Sequence, residues 1–355
     1  MPHRRKVGLA ILTAVVVMGL FVWYVGFAET WQAVRQAGAS AFAATGCVLA
    51  SVLFFQALAW QILGRAMGHR VSMPTLLKAT LVGMAGNIVT PSTYLGGEPA
   101  RVLYAGRRAG LPYGEVTAVV LLGKYLEALS FVPVLCFSAV VACVGLRQVL
   151  FSPAGAGLGV TIFVLCAGAL VMSGVLWTSL ARGWTPLAVL CGWVARARVF
   201  PGFFDRLRQR TAAVEVQAAR VFRDNRRAVA PAFCCYLATH AAMFVKPLAF
   251  FFTGWRMGLS MAELGLMFFV GQLLLAFQLL PSGVGTLDWG LLGVLRACGV
   301  GITDGQYSAF LLCLRFWDAV IVAGGIILAA RLGVRVLSER QNGAAARPVP
   351  QPATR

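Results

Sequence analysis

Two acid–base pairs recur in this chain at one spacing. Lys124 and Glu127 stand three residues apart, and so do Arg315 and Asp318. Residues three apart share a helix face, so each pair can close on its own helix. A further carboxylate precedes each pair, Glu98 and Asp288, and Arg101 follows Glu98 at the same spacing. Such groups can do three kinds of work. A lysine or arginine can hold an anion, and arginine suits phosphate because its fork donates two hydrogen bonds. A carboxylate can bind a cation, or carry a proton once a low-dielectric setting favours its neutral form. The structural alternatives stay open. The two pairs can be locks on their own helices. Glu98 and Asp288 can brace a helix N-terminus, where the dipole favours a carboxylate. Arg101 is divided between ligand binding and pairing with Glu98.

The surroundings of these residues set their meaning. The chain is 59% hydrophobic and 12% charged, where soluble domains run near a quarter charged. Apolar windows long enough for a bilayer-spanning helix, about 20 residues, recur at Val7–Ala28, Ala39–Gly64, Val116–Val144, Gly157–Ala181, Val229–Phe252 and Ser308–Leu332. Two shorter apolar segments, Leu76–Pro91 and Glu263–Pro281, each end in a proline followed by glycines. The expected fold is an all-α polytopic membrane protein with about six full spans and two re-entrant helical hairpins. A barrel is excluded, because barrel strands alternate in polarity over short segments. A charge at the bilayer centre costs at least about 2.5 kcal/mol on insertion scales. Lys124, Glu127, Arg315 and Asp318 should therefore face inward and pair.

A net charge of +19 raises the possibility of nucleic acid, and its placement argues against that partner. The basic residues gather in segments 4–6, 65–70, 107–108, 182–227 and 331–355. The positive-inside rule makes these cytoplasmic. Both termini then lie in the cytoplasm of a multi-pass cytoplasmic-membrane protein. His3-Arg4-Arg5-Lys6 and the first span resemble a signal peptide, but no convincing cleavage site follows, so an uncleaved helix is expected. Trp184–Ala195 is apolar and too short to span, so it reads as a dip or an interfacial helix. The basic loop 196–228 carries Phe203, Leu207, Thr211, Val214, Ala218 and Val221 at helical spacing, with arginines elsewhere. It reads as an amphipathic helix on the cytoplasmic leaflet, attracted by anionic lipid or docking a lipid-biosynthetic enzyme. The tail, 334–355, reads as disordered.

The same threading exposes a repeat. "GLPYGEVTAVVLLGKYLEA" (110–128) aligns without a gap on "GITDGQYSAFLLCLRFWDA" (301–319), matching Lys124 to Arg315 and Glu127 to Asp318. Pro91 precedes Glu98 by the same number of residues that separates Pro281 from Asp288. The expected repeats, about 75–144 and about 262–332, begin on opposite sides of the membrane and are inverted. That is the plan of many secondary transporters, whose broken helices meet near mid-membrane. Irregular backbone survives there only where protein or a water-filled cavity satisfies it. Pro91, Gly96 and Gly97 in one hairpin, and Pro281, Gly283 and Gly285 in the other, are the expected chain-reversing positions. Asn87 is a candidate to satisfy the broken backbone.

"GNIVTPSTYLGGEPARVLYAGRRAG" (86–110) resembles the first signature of the flippase-like family that includes the transmembrane region of lysylphosphatidylglycerol synthases. The second signature, Pro-x-Pro-Gly-Gly-x-Gly-x-x-Glu, appears as "LLPSGVGTLDWG" (279–290), with one proline absent and Asp288 at the glutamate position. The resemblance implies a domain, here 1–333, that moves or presents lipids across the cytoplasmic membrane. It implies a lipid substrate, with phospholipid, hopanoid and polyprenyl-linked glycolipid all open. The segment 334–355 is too short for a synthase domain, so synthase activity is not expected. A membrane scaffold recruiting a lipid-modifying enzyme, and a small-molecule permease, are the competing classes.

The remaining reactive residues point nowhere else. Nine cysteines include no C-x-x-C, and within spans cysteine acts as a small hydrophobe. No Walker loop, nucleophile elbow or zinc-ligand helix occurs, so no cofactor or metal is expected. His240 reads as a packing residue, Lys246 as a residue snorkelling to the headgroups, and Arg296 as a fainter binding candidate. Gly145, Gly155, Gly157 and Gly159 would support helix contacts with a second copy, without specifying a homodimer.

Overall fold

The computed structural model describes residues 16–90, 96–150, 156–196, 201–276 and 280–345. The described chain is helical and contains no strand. Five helices are long and apolar enough to cross a membrane: α2 (Phe27–Ala66), α5 (Tyr113–Gly145), α7 (Ala156–Arg182), α10 (Arg226–Trp255) and α13 (Asp304–Ala345). They correspond to five of the six expected spans. Of the sixth, Val7–Ala28, the described part is a short apolar helix, α1 (Val16–Val25). It ends because Gly26 takes a positive φ of 105°. The segment after it is not a loop: α2 starts at Phe27 and breaks at Gly38, φ 67°. Bulky apolar side chains stay exposed around the bundle, including Trp23, Val144, Phe163 and Val171, as expected where lipid is the solvent.

Two pairs of short helices complete the fold, α3 (Met73–Val89) with α4 (Glu98–Ala109), and α11 (Met261–Ala276) with α12 (Thr286–Ala297). Each pair precedes a long helix, α5 or α13. The pairs exchange partners: α3 packs on α13, and α11 on α5. Small residues allow both crossings. A Cβ on Gly325 would lie 2.3 Å from Ala85 Cβ, and one on Gly265 would lie 2.5 Å from the Ser138 carbonyl oxygen. Two apolar cores form at opposite ends of α5, one around Leu135, Ala139 and Ala142, the other around Val116, Leu122 and Leu126. Lys124 and Glu127 border the second core.

The basic loop contains α8 (Pro186–Arg196) and α9 (Pro201–Asp224). The amphipathic face of α9 has a different occupant from the one its pattern suggests. Glu215, Ala218, Ala219, Val221 and Phe222 are buried as α9 packs on α5, α7 and α8. Glu215 takes the amide N–H groups of Leu187 and Ala188, both at 3.0 Å, and the Tyr125 hydroxyl at 2.6 Å. It thus satisfies two of the orphan donors that open α8. Glu215→Ala strands these buried donors, at about 1–3 kcal/mol. The expected result is a lower unfolding temperature in detergent, with earlier proteolysis at 184–196.

The expectation of a disordered 334–355 is corrected in part. α13 stays helical to Ala345, because "VRVLSERQNGAAA" is rich in helix formers and meets no proline before Pro348. Residues 346–355 lie outside the described residues.

Candidate functional site

The first broken helix reaches the site through a tight backbone contact. Pro91 lies outside the described residues. Gly96 forms the turn before α4. Gly97 donates its amide N–H to Asn87 Oδ1 at 2.7 Å, so Asn87 supplies an acceptor where the helical ladder is interrupted. Gly97 has no room for a side chain: a Cβ would lie 1.8 Å from the Gly83 carbonyl oxygen. That approach sets the first residue of α4, Glu98, beside α5.

Glu98 Oε1 lies 2.9 Å from Lys124 Nζ, and the same ammonium lies 2.9 Å from Glu127 Oε2. One cation therefore bridges two carboxylates. Gln56 donates to Glu127 Oε1 at 3.3 Å, and a His240 ring nitrogen hydrogen-bonds the Glu127 carbonyl oxygen at 3.0 Å. Arg101 faces a different neighbourhood. It is buried, donates to Thr80 at 3.3 Å, and stacks 4.3 Å from the Trp60 ring centre. Its link to Glu98 is longer, 3.8 Å.

The second broken helix turns more sharply. A 3-10 turn, Pro281–Gly283, precedes α12, and Ser282, Gly283 and Gly285 have φ of 57°, 68° and 85°. Positive φ is uncommon outside glycine, and Ser282 is held there by its neighbours. Arg315 donates to its carbonyl oxygen at 2.8 Å and its hydroxyl oxygen at 2.9 Å, and that hydroxyl donates to Asp318. Asp288 is fully buried. It accepts from the Gly285 amide at 2.9 Å through one oxygen and from Arg315 at 2.7 Å through the other. Arg315 also lies 3.4 Å from Asp318. Each pair of short helices, with the long helix that follows it, thus builds an acid–base–acid cluster from the start of the second short helix and one face of the long one.

The two clusters open into one cavity of about 220 Å³. Glu98, Arg101, Lys124, Glu127, Arg315 and Asp318 line it, together with Asn87 and Ser282, while Asp288 stands behind Arg315. Arg296 does not join them. It pairs with Asp304 and bonds the Tyr24 hydroxyl at 3.1 Å. Lys246, expected to snorkel, lines the cavity. The sequence carried a signal for it: Thr239, Met243 and Lys246 follow helical spacing, and all three line the cavity. Among the described residues no cluster of histidine, cysteine, aspartate and glutamate is arranged to hold a metal ion.

The fold and its charged centre define a multi-pass α-helical membrane protein whose apolar bundle encloses a cavity lined in part by charged side chains. The chain belongs to the family of the lysylphosphatidylglycerol synthase TM region, whose sequence profile matches residues 7–325. It is also similar to a UPF0104 membrane protein of Methanothermobacter thermautotrophicus, with 28% identity over 143 residues. That match covers 40% of this chain and 41% of the relative. No solved structure matches.

Proposed function

We propose that this protein translocates or presents, across the cytoplasmic membrane, a lipid whose polar headgroup is anionic. One observation carries the reading: a single cavity joins two matching acid–base–acid clusters, one from each half, in the interior of an apolar bundle. Its volume far exceeds the roughly 10–15 Å³ that holds one water. It falls below the roughly 300–1,000 Å³ of pockets that engulf drug-sized ligands. That size suits a headgroup whose acyl chains remain in the bilayer. Both broken helices act as re-entrant hairpins of inverted halves, and the basic segments and both termini are cytoplasmic. The lipid exchanges ion pairs as it passes: Lys124 and Arg315 take its anionic group while Glu98, Glu127, Asp288 and Asp318 hold the bases between passages. The outward arginines of α9 rest on anionic lipid.

Reconstitution tests this. Vesicles containing the wild-type protein should move a fluorescent phosphatidylglycerol between leaflets. Glu98→Gln and Arg315→Gln proteins that remain folded should lose that movement by about tenfold or more, an effect of over 1.4 kcal/mol on the barrier. A scaffold gives another pattern. The exposed residues Arg208, Arg210, Arg220 and Arg223 would then be indispensable in cells, and both cavity variants would behave as wild type.

A further inference from the structure

Lys246 differs from every other cation in the cavity. Lys124 lies 2.9 Å from each of two carboxylates, Arg315 lies 2.7 Å from Asp288, and Arg101 lies 3.8 Å from Glu98. Among the described residues, no carboxylate comes within 4.0 Å of the Lys246 ammonium, although Asp318 and Arg315 are close enough for their fields to act on it. The residue sits within α10, between the cavity-lining Met243 and the buried Pro247. An ammonium facing a cavity inside an apolar bundle, with no carboxylate in contact, is costly. It is also the side chain best suited to an anion arriving in variable poses: a compact charge with three rotatable donors on a flexible stem.

We infer that Lys246 is the residue that recognises phosphate, and that the cavity selects an amphiphile with one phosphodiester over an uncharged sterol-like or sugar-headed lipid. This rests on the lipid-handling reading above. The charges support the choice. Without Lys246, the two acid–base–acid clusters and Arg101 set Arg101, Lys124 and Arg315 against Glu98, Glu127, Asp288 and Asp318. Lys246 brings the whole to formal neutrality without touching a carboxylate. A phosphodiester monoanion can therefore meet Lys246 first, before Lys124 and Arg315 exchange their carboxylates for it. A neutral lipid would gain nothing from this residue.

Titration calorimetry in an uncharged detergent tests the assignment with three probes: dihexanoyl-phosphatidylglycerol, uncharged dihexanoylglycerol, and glycerol phosphate without tails. Wild type should prefer the first. Lys246→Gln should weaken it by about tenfold, the loss of one charge-assisted contact, with dihexanoylglycerol unaffected. Lys246→Arg should restore it. Lys246→Gln leaves the cavity one acid in excess, so its unfolding temperature should fall, but only modestly, no carboxylate being in contact with the ammonium it removes. Unchanged affinity in Lys246→Gln, or an equal loss for the uncharged lipid, overturns the assignment while leaving the cavity a lipid site. Glycerol phosphate binding as tightly as the lipid, and depending on Lys246, overturns the lipid source. Wild-type protein that binds none of the three overturns both readings.

Discussion

Gly97→Ala should prevent the first hairpin from closing. The added methyl would sit 1.8 Å from the Gly83 carbonyl oxygen, 2.7 Å from the Gly83 carbonyl carbon and 2.9 Å from the Asn87 nitrogen. All three are backbone atoms of α3, so no rotamer change relieves the clash. Either α4 moves away or the last turns of α3 unwind. Each movement breaks the Gly97–Asn87 hydrogen bond and withdraws Glu98 from Lys124. Overpacking of a good core costs about 1–3 kcal/mol when side chains can yield, and here they cannot. A loss above about 3 kcal/mol is expected, seen as a large drop in unfolding temperature followed by intrinsic tryptophan fluorescence. Gly86→Ala, which meets the Gly97 Cα at 2.6 Å, should behave alike. Gly293→Ala on α12 is the control. Its Cβ meets nothing within 4 Å, and alanine is favoured over glycine inside a helix by about 1 kcal/mol.

Lys124→Met should cost nearly as much for an electrostatic reason. The ammonium is the cation nearest to Glu127 and the closer of the two cations at Glu98. Removing it leaves two facing carboxylates with little water to share. Breaking a buried pair from one side typically costs about 3–5 kcal/mol. The residual exposure of these side chains to the cavity, 12–16%, places the expected value at the lower end of that range. A compensated variant separates stability from function. Lys124→Met combined with Glu98→Gln and Glu127→Gln removes the stranded charges and should recover much of the unfolding temperature, because groups in one network do not add independently. Lipid movement in vesicles should stay lost, since the bridging charge is gone. Recovery of movement in the triple variant would assign the first cluster a purely structural role.

Much of this architecture was readable from residue order alone. Five long apolar runs became long helices because nothing in them satisfies a backbone except the helix itself. Lys124, Glu127, Arg315 and Asp318 declared themselves by being charged where charge is expensive. Glu98 and Asp288 were found through their spacing from a proline and a glycine turn. What stayed hidden depends on partners distant in sequence. Lys246 shares a helix face with Thr239 and Met243, but its apolar neighbourhood makes it read as a snorkelling residue, and the packing of α10 on α2 and α5 turns that face to the cavity. Spacing left Arg101 divided between ligand binding and pairing with Glu98, and neither reading foresaw the planar face of Trp60 and the Thr80 hydroxyl that hold it. Glu215 looks like one polar residue among many on a basic helix. Its role follows from α8 beginning directly against it. The break at Gly38 was likewise silent, because glycines are common throughout this chain.

The exchange of short helices between the two halves bears on biogenesis. Each half carries its own acids and bases, so a ribosome that has released only the first half has already made Glu98, Lys124 and Glu127 able to neutralise one another. The apolar cover is another matter: α3 waits for α13, which is synthesised about two hundred residues later. Until then its uncovered flank must be shielded by lipid, by the insertion machinery or by α11 in a provisional berth. Truncation before Asp304 should therefore yield a chain that inserts and balances its charge but stays exposed to quality-control proteases.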